Sequence, residues 1–169
     1  TLSSNAPGLG AVFRGTIPEG FTQQDNLFIA NMSVDYEFLR TYGIDLAAGR
    51  GFDKSYGTDL AEGFIVNETA VREFNWGTPD EAVGKKLTRE GKEGKVVGVI
   101  KDFNFTSLTT PVSAMVLELN PNQYNTLSVK FENENVQPTL EKLEEEWIRM
   151  FPEKAFQFSF LDQQLDDQY

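Results

Sequence analysis

The sequence predicts a mixed α+β fold, and three observations carry that reading. Short apolar runs of β-type residues alternate with short capped helical segments through the middle of the chain. Near the C-terminus an amphipathic helix lies between two segments of alternating apolar residues, the pattern of a β-α-β unit. Fourteen Phe in 169 residues supply the bulk for a buried core.

The elements follow in order. Thr1–Phe21 is rich in Gly, Ser, Asn and Pro and reads as a loop in which only Ala11–Phe13 is strand-like. Leu27–Ser33 reads as a strand. Asp35 is a suitable cap for a helix that places Phe38, Leu39 and Tyr42 on one face, and Gly43 supplies its stop. Ile44–Leu46 is extended, and Ala48-Gly49-Arg50-Gly51 reads as a turn. Phe64–Val66 is an apolar strand. Asn67 caps a helix over Glu68–Trp76, with Ala70, Val71 and Phe74 at helical spacing and Gly77 at its end. Thr78-Pro79-Asp80-Glu81 is a capping box with Pro at the first helical position.

Lys85–Leu87 and Lys95–Ile100 read as a hairpin around a turn over Glu90–Gly94. The run Val96, Val97, Val99 and Ile100 predicts burial on both faces. Ser113–Leu119 is a further strand, broken by Asn120-Pro121-Asn122. Leu127, Val129 and Phe131 alternate with polar residues, a half-buried strand pattern. A helix is predicted over Val136–Phe151, with Pro138 tolerated in its first turn. Leu140, Leu143, Trp147 and Met150 form its apolar stripe. Pro152 stops it, and Phe156, Phe158 and Phe160 then alternate as a closing strand. Asp162–Tyr169 is polar and reads as a helix start or a tether.

Composition excludes several chemistries. The formal net charge of −11 repels nucleic acid and anionic lipid. The chain has no Cys and no His. Zinc sites of the usual donor set, Cys–His and Ser–His catalysis all need one or both. No apolar run approaches the ~20 residues that cross a bilayer.

The remaining motifs reduce to structure. Gly84 to Lys92 has the wrong glycine spacing for a phosphate loop, and Glu93 stands where Ser or Thr would hold magnesium. Gly8-Leu9-Gly10 lacks a preceding strand and a third glycine. Asp53 to Asp59 carries carboxylates and a glycine, but Ser55 is a poor calcium donor and Glu62 is displaced from the closing position, so a surface loop is expected. Asp162, Asp166 and Asp167 have no apolar pocket to raise a pKa, and Glu144, Glu145 and Glu146 form a solvated helix face. Asn31, Asn67 and Asn104 begin glycosylation-type triplets, of which Asn67 is better explained as a cap. Residue chemistry alone therefore gives an acidic α/β domain with no catalytic, cofactor or metal constellation, and no function.

Several segments together resemble the MacB-like periplasmic core domain of FtsX-family ABC transporter permeases. SVDYEFLRTYGIDLAAGRGF (Ser33–Phe52) is similar to that family's Val-Asp-x-x-Phe helix, Gly-Ile turn and Leu-x-x-Gly-Arg-x-Phe. FIVNETAVREFNW (Phe64–Trp76), AVGKKL (Ala82–Leu87) and GKVVGVIKDFNFTSL (Gly94–Leu108) resemble further family segments, as does FLDQQLDDQY (Phe160–Tyr169). In these motifs Gly43 and Gly49 would allow tight turns, Gly98 would admit another backbone, and Asp102 and Asn104 would bond loop backbone.

The resemblance implies a two-part domain: a porter-like β-α-β subdomain plus a strand-rich subdomain with short helices. On that reading residues 1–25 form the N-terminal loop and short strand of the porter-like part. Residues 26–124 form the strand-rich insertion, 125–161 the closing β-α-β unit, and 162–169 a tether toward a transmembrane helix. The family domain opens with a strand and a helix that complete the porter-like sheet, and Thr1–Gly10 resembles the stretch after that pair. Without the pair, an apolar sheet edge would be exposed or covered by a partner chain. One membrane span before Thr1 and three after Tyr169 are expected.

The implied role is non-enzymatic. It is the extracytoplasmic part of a permease in the cell membrane, working with a separate ABC ATPase, a second permease copy and an envelope adaptor, without cofactor. Two functions compete: export or extrusion of a peptide, drug or lipoprotein, and a binding module coupling the ATPase to an envelope protein such as a cell-wall hydrolase. A free-standing enzyme or binding protein is a third.

Overall fold

The computed structural model describes residues 1–25, 27–104, 111–131 and 136–166. The chain divides into two compact units, Thr1–Ser128 and Val129–Tyr169.

In the first unit the elements run β1 (Leu2–Ser3), β2 (Val12–Pro18), β3 (Leu27–Ser33), α1 (Phe38–Tyr42), β4 (Leu46–Gly49), α2 (Asp59–Glu62), β5 (Gly63–Asn67), α3 (Glu68–Glu73), α4 (Pro79–Ala82), β6 (Lys86–Arg89), β7 (Lys92–Ile100), β8 (Met115–Glu118) and β9 (Thr126–Leu127). The long strand β7 organises them. Along one edge it pairs with β6 through Lys92–Lys95 and with β4 through Gly98–Ile100. Along the other it runs parallel to β5. The remaining pairings are β5–β8, β8–β3, β3–β2 and β2–β6. The sheet therefore closes on itself through six strands, β7-β5-β8-β3-β2-β6, and β4 leans on the far half of β7. Closure removes the edges that an open sheet would leave unpaired. β1 and β9 form a separate antiparallel pair.

Strands β3, β5 and β8 are buried on both faces. Alternate residues divide between two cores. Ile29, Phe64, Val66 and Val116 face the barrel interior with Leu87 and Val96, where Ala70, Val71, Phe74 and Trp76 pack from α3 and the turn after it. Ala30, Met32, Ile65, Met115 and Leu117 face outward under Phe38 and Phe52.

Local chemistry explains the short helices. Asn67 Oδ1 accepts from Ala70 N at 3.0 Å and opens α3. Thr78 and Glu81 form the capping box of α4, with Pro79 at its start. Gly43, at φ 66°, ends α1 in the left-handed region. Gly98 is required by contact rather than by φ: a Cβ there would meet the Arg50 carbonyl oxygen at 2.1 Å.

The structure corrects several expectations. The N-terminal stretch is not mainly loop, since Val12–Pro18 is a seven-residue strand. Gly15 hid the pattern, yet the backbone of Val12–Thr16 pairs with β3 and that of Thr16–Pro18 with β6. Residues 12–18 thus belong to the barrel, not to a unit with the C-terminal helix. Asp35 does not cap α1, whose first flanking residue is Glu37. Its carboxylate instead accepts from Leu2 N at 2.7 Å and Glu37 N at 3.1 Å and from the Thr1 hydroxyl, tying down the N-terminus. Ala48 and Gly49 are strand, not turn, because β7 offers them an edge. The hairpin turn shortens to Glu90-Gly91, both at positive φ, because Arg89 pairs directly with Lys92.

In the second unit α5 (Val136–Met150) forms as expected, followed by α6 (Leu161–Asp166). Its flanking segments differ from expectation. β9 stops at Leu127, and residues 128–131 and 151–160 form no strand. The phenylalanines nonetheless interlock: Phe131–Phe160, Phe160–Phe158, Phe158–Phe156 and Phe156–Trp147 have ring centroids 5.6–6.5 Å apart. Alternation thus recorded side-chain packing, while a strand also needs a backbone partner. No residue of α5 is fully buried.

Candidate functional site

Three clusters gather the polar chemistry of the first unit. The first is a clasp on the loop after β4. Arg50 donates two bonds to Asp59, at 2.6 and 2.7 Å, and stacks 3.7 Å from the Tyr56 ring centroid. Asp53 N also donates to Asp59, at 3.0 Å. Burial alone would push the Asp59 carboxyl up, but these donors and the Arg50 charge hold it below the usual carboxylate range. This accounts for Asp53 and Asp59 without calcium, since the buried carboxylate is committed to Arg50.

The second cluster joins the end of β7 to α3. Asp102 accepts from Thr69 N at 2.9 Å, from the Thr69 hydroxyl at 2.8 Å and from Arg72 at 3.0 Å. Burial opposes ionisation there too, and those bonds outweigh it, leaving Asp102 below its ordinary value. Asn67 adds a second tie, accepting from Met115 N and donating to the Ser113 carbonyl.

The third cluster lies inside the barrel. Arg89 of β6 donates to Glu118 of β8 at 2.8 Å, with both side chains almost wholly buried. These strands are not neighbours in the sheet, so the pair spans the interior. Burial pushes the Arg89 guanidinium down, with the charges of Glu118 and Glu90 opposing. Lys92, over the Phe64 ring at 4.8 Å, is likewise pushed down by burial.

A shallow groove of about 430 Å³ runs between α1 and β4, lined by Tyr36, Leu39, Arg40, Ile44, Asp45 and Leu46. It offers an apolar floor with one cation and one anion at its rim. No pair of a nucleophile and its base faces it. Among the described residues, no three His, Cys, Asp or Glu side chains are placed to hold a metal.

The other sequence candidates lie apart from one another. Gly84 to Lys92 spans a turn and the β6–β7 hairpin, while Gly8 lies in a turn and Gly10 in the irregular stretch after it, both at positive φ. Asn31 is buried in β3, donating to the Val116 carbonyl at 3.2 Å, so neither it nor Asn67 presents an open acceptor. Asn104 is exposed. Glu144 and Glu145 are exposed on α5, and Glu146 pairs with Arg149. Asp162 accepts from Gln163 N, while Asp167 lies outside the described residues. Sequence reading missed the barrel pair and the groove. The signal for the pair was a lone Glu ending the apolar strand β8 and an Arg two positions after Leu87, on the same face of β6.

The family model of the MacB-like periplasmic core domain matches residues 6–146. The chain belongs to this family. As a MacB-like periplasmic core domain it is an extracytoplasmic part of MacB/FtsX-like ABC transporter permeases, which work with an ATPase. Solved structures agree on the fold. One is the periplasmic region of MacB from Actinobacillus actinomycetemcomitans, with a TM-score of 0.63 and 14% identity, covering 99% of this chain and 75% of that one. Another is the extracellular domain of the noncanonic ABC-type transporter YknZ from Gram-positive bacteria, with a TM-score of 0.56 and 11% identity, covering 86% and 76%. The search of curated proteins gave no match. Among the described residues, no helix of this MacB-like domain is long and apolar enough to cross a membrane.

Proposed function

We propose that this domain transmits movement of a permease's membrane helices to the space outside the membrane, and that it is not an enzyme. ATP is hydrolysed on a separate ABC ATPase. The domain works beside a second permease copy, and its displacement drives export or extrusion of a substrate such as a peptide, drug or lipoprotein. The observation that carries the reading is the closed barrel of Thr1–Ser128 inside a family match over residues 6–146. A sheet closed through six strands and locked by the Arg50–Asp59 and Asp102–Thr69 ties moves as one body.

A second reading has one observation in its favour, the α1–β4 groove. On it the domain is a module that couples the ATPase to an envelope protein, such as a cell-wall hydrolase.

One experiment separates them. The chain has no native Cys, so Lys54→Cys and Lys86→Cys, both exposed, give clean spin-label sites in the full transporter. On the transmission reading the distance between the two labels within one copy stays fixed during ATP turnover, while the distance between copies changes. A change within one copy would overturn the rigid-body claim. Constant spacing between copies would favour the binding module.

A further inference from the structure

The mouth of the barrel at the β6–β7 turn holds chemistry that the transmission role does not use. Arg14 of β2, Arg89 of β6 and Lys92 of β7 converge there, against Glu118 and Glu90. Cations outnumber anions at this one end of a chain whose net charge is −11. Arg89 is only 1% exposed, and a single one of its nitrogens is bonded, to Glu118. Its Nε and Nη1 find no acceptor, and neither does Arg14 Nε. A guanidinium presents five N–H donors in a fork that matches the two oxygens of a carboxylate or phosphate. Buried donors of this kind are normally satisfied, so three orphans on two adjacent guanidiniums mark an unfilled acceptor position.

The chain's own nearest carboxylate stands beside that position without reaching any of the three orphan nitrogens. The Glu90 carboxylate lies 2.7 Å from Arg14 Nη1 and 4.0 Å from Arg89 Nη2, and its side chain is half exposed. Glu90 sits at φ 45°, in the left-handed region where a two-residue hairpin turn favours Asn, Asp or Gly. The turn thus carries an ill-suited residue whose carboxylate reaches over the two arginines.

We propose that the Arg14–Arg89 mouth is an oxyanion site, its orphan donors unfilled and its approach covered by the chain's own Glu90 carboxylate, open to an external carboxylate or phosphate when that side chain swings away. Glu90 is its displaceable cover, competing for Arg14, with Arg14 the accessible arm and Arg89 the buried one. Glu118 fixes Arg89 in place and keeps the site from holding more than one added negative charge.

The test uses the whole chain and the variant Glu90→Gly, which suits the turn and should fold. Acetate and inorganic phosphate are titrated separately at matched ionic strength, by calorimetry and by the NMR shifts of the arginine Nε–H groups. We expect at least one anion to bind Glu90→Gly about tenfold more tightly than the parent, because a tethered competitor is gone. Adding Arg14→Ala should abolish that gain, and the anion that gains more identifies the chemistry the site selects. Equal affinity in the parent and Glu90→Gly, or a gain that survives Arg14→Ala, would overturn the proposal.

Discussion

The two units treat the same kinds of residue differently. In Thr1–Ser128 charge is buried and committed: Arg89 and Glu118 meet at 2.8 Å with side chains 1% and 6% exposed. In Val129–Tyr169 the Arg149–Glu146 pair is an exposed neighbour contact along one helix. The aromatics follow suit. Phe38 and Phe64 are wholly buried in the first unit, although Phe13 on β2 and Phe28 on β3 are 52% and 60% exposed; in the second no described Phe is fully buried, and Phe151 and Phe158 are 43% and 56% exposed. The difference lies in closure. A sheet that closes on itself excludes water from both its interior and its covered outer face, so a charge inside depends on the partners the fold supplies. A helix packed on a phenylalanine ladder without backbone pairing leaves its groups in solvent, where pairing is optional.

The sharpest way to break this comparison is to remove one carboxylate from each unit. Glu118→Leu leaves Arg89 buried without its acceptor and should cost about 3–5 kcal/mol in urea unfolding. Glu146→Ala should change stability by no more than ~0.5 kcal/mol. Adding Arg89→Met to Glu118→Leu should recover most of the loss, since the pair as a whole contributes little beyond its own desolvation. Equal effects at Glu118 and Glu146 would mean that the barrel interior is wet and the contrast between units is illusory.

A second test uses pH. Asp59 is held below its ordinary value in the folded chain. A carboxylate with a lowered folded pKa binds fewer protons folded than unfolded. Its contribution is therefore full above the unfolded value of about 3.9 and drains away as pH falls through the lower folded value. Melting of the parent followed downward from neutral pH should show stability falling in that acid window. Asp59→Asn should be less stable at neutral pH and should lose less over the same interval. Parallel curves for the two proteins would show that Arg50 and Asp59 do not form the clasp in solution.

Much of the barrel was legible because its signals are local. Asn67, the Thr78–Glu81 box and Gly43 act within a turn or two of themselves, and β3, β5 and the second half of β7 are apolar runs. Closure was not legible, because it depends on which strands meet. Val12–Pro18 looks like loop until β3 and β6 flank it, and the Arg89–Glu118 pair joins positions that nothing local connects. The C-terminal unit shows the converse. Phe156, Phe158 and Phe160 alternate as a strand would, and their rings meet one another, but among the described residues no neighbouring backbone pairs with theirs. Gly98 was read correctly for a physical reason: a glycine in an apolar strand leaves room only another main chain can use, here that of Arg50.

The smallest expected effect gives the finest resolution, because each unit carries one tryptophan. Trp76 is 6% exposed, and its indole N–H donates to the Glu19 carbonyl at 2.9 Å. Trp147 lies on α5, half-buried, with its N–H on the Lys154 carbonyl at 3.0 Å in an exposed setting. Replacing either by Phe isolates the other as a probe. The Trp147→Phe protein, reporting Trp76, should emit at shorter wavelength, resist acrylamide and change in the main cooperative transition. The Trp76→Phe protein, reporting Trp147, should be quenched more readily, and its signal should shift at lower urea, since sparsely buried elements open below the global transition. Superimposable urea curves would show that the C-terminal helix is held as tightly as the barrel, and that its exposed apolar stripe is covered in solution.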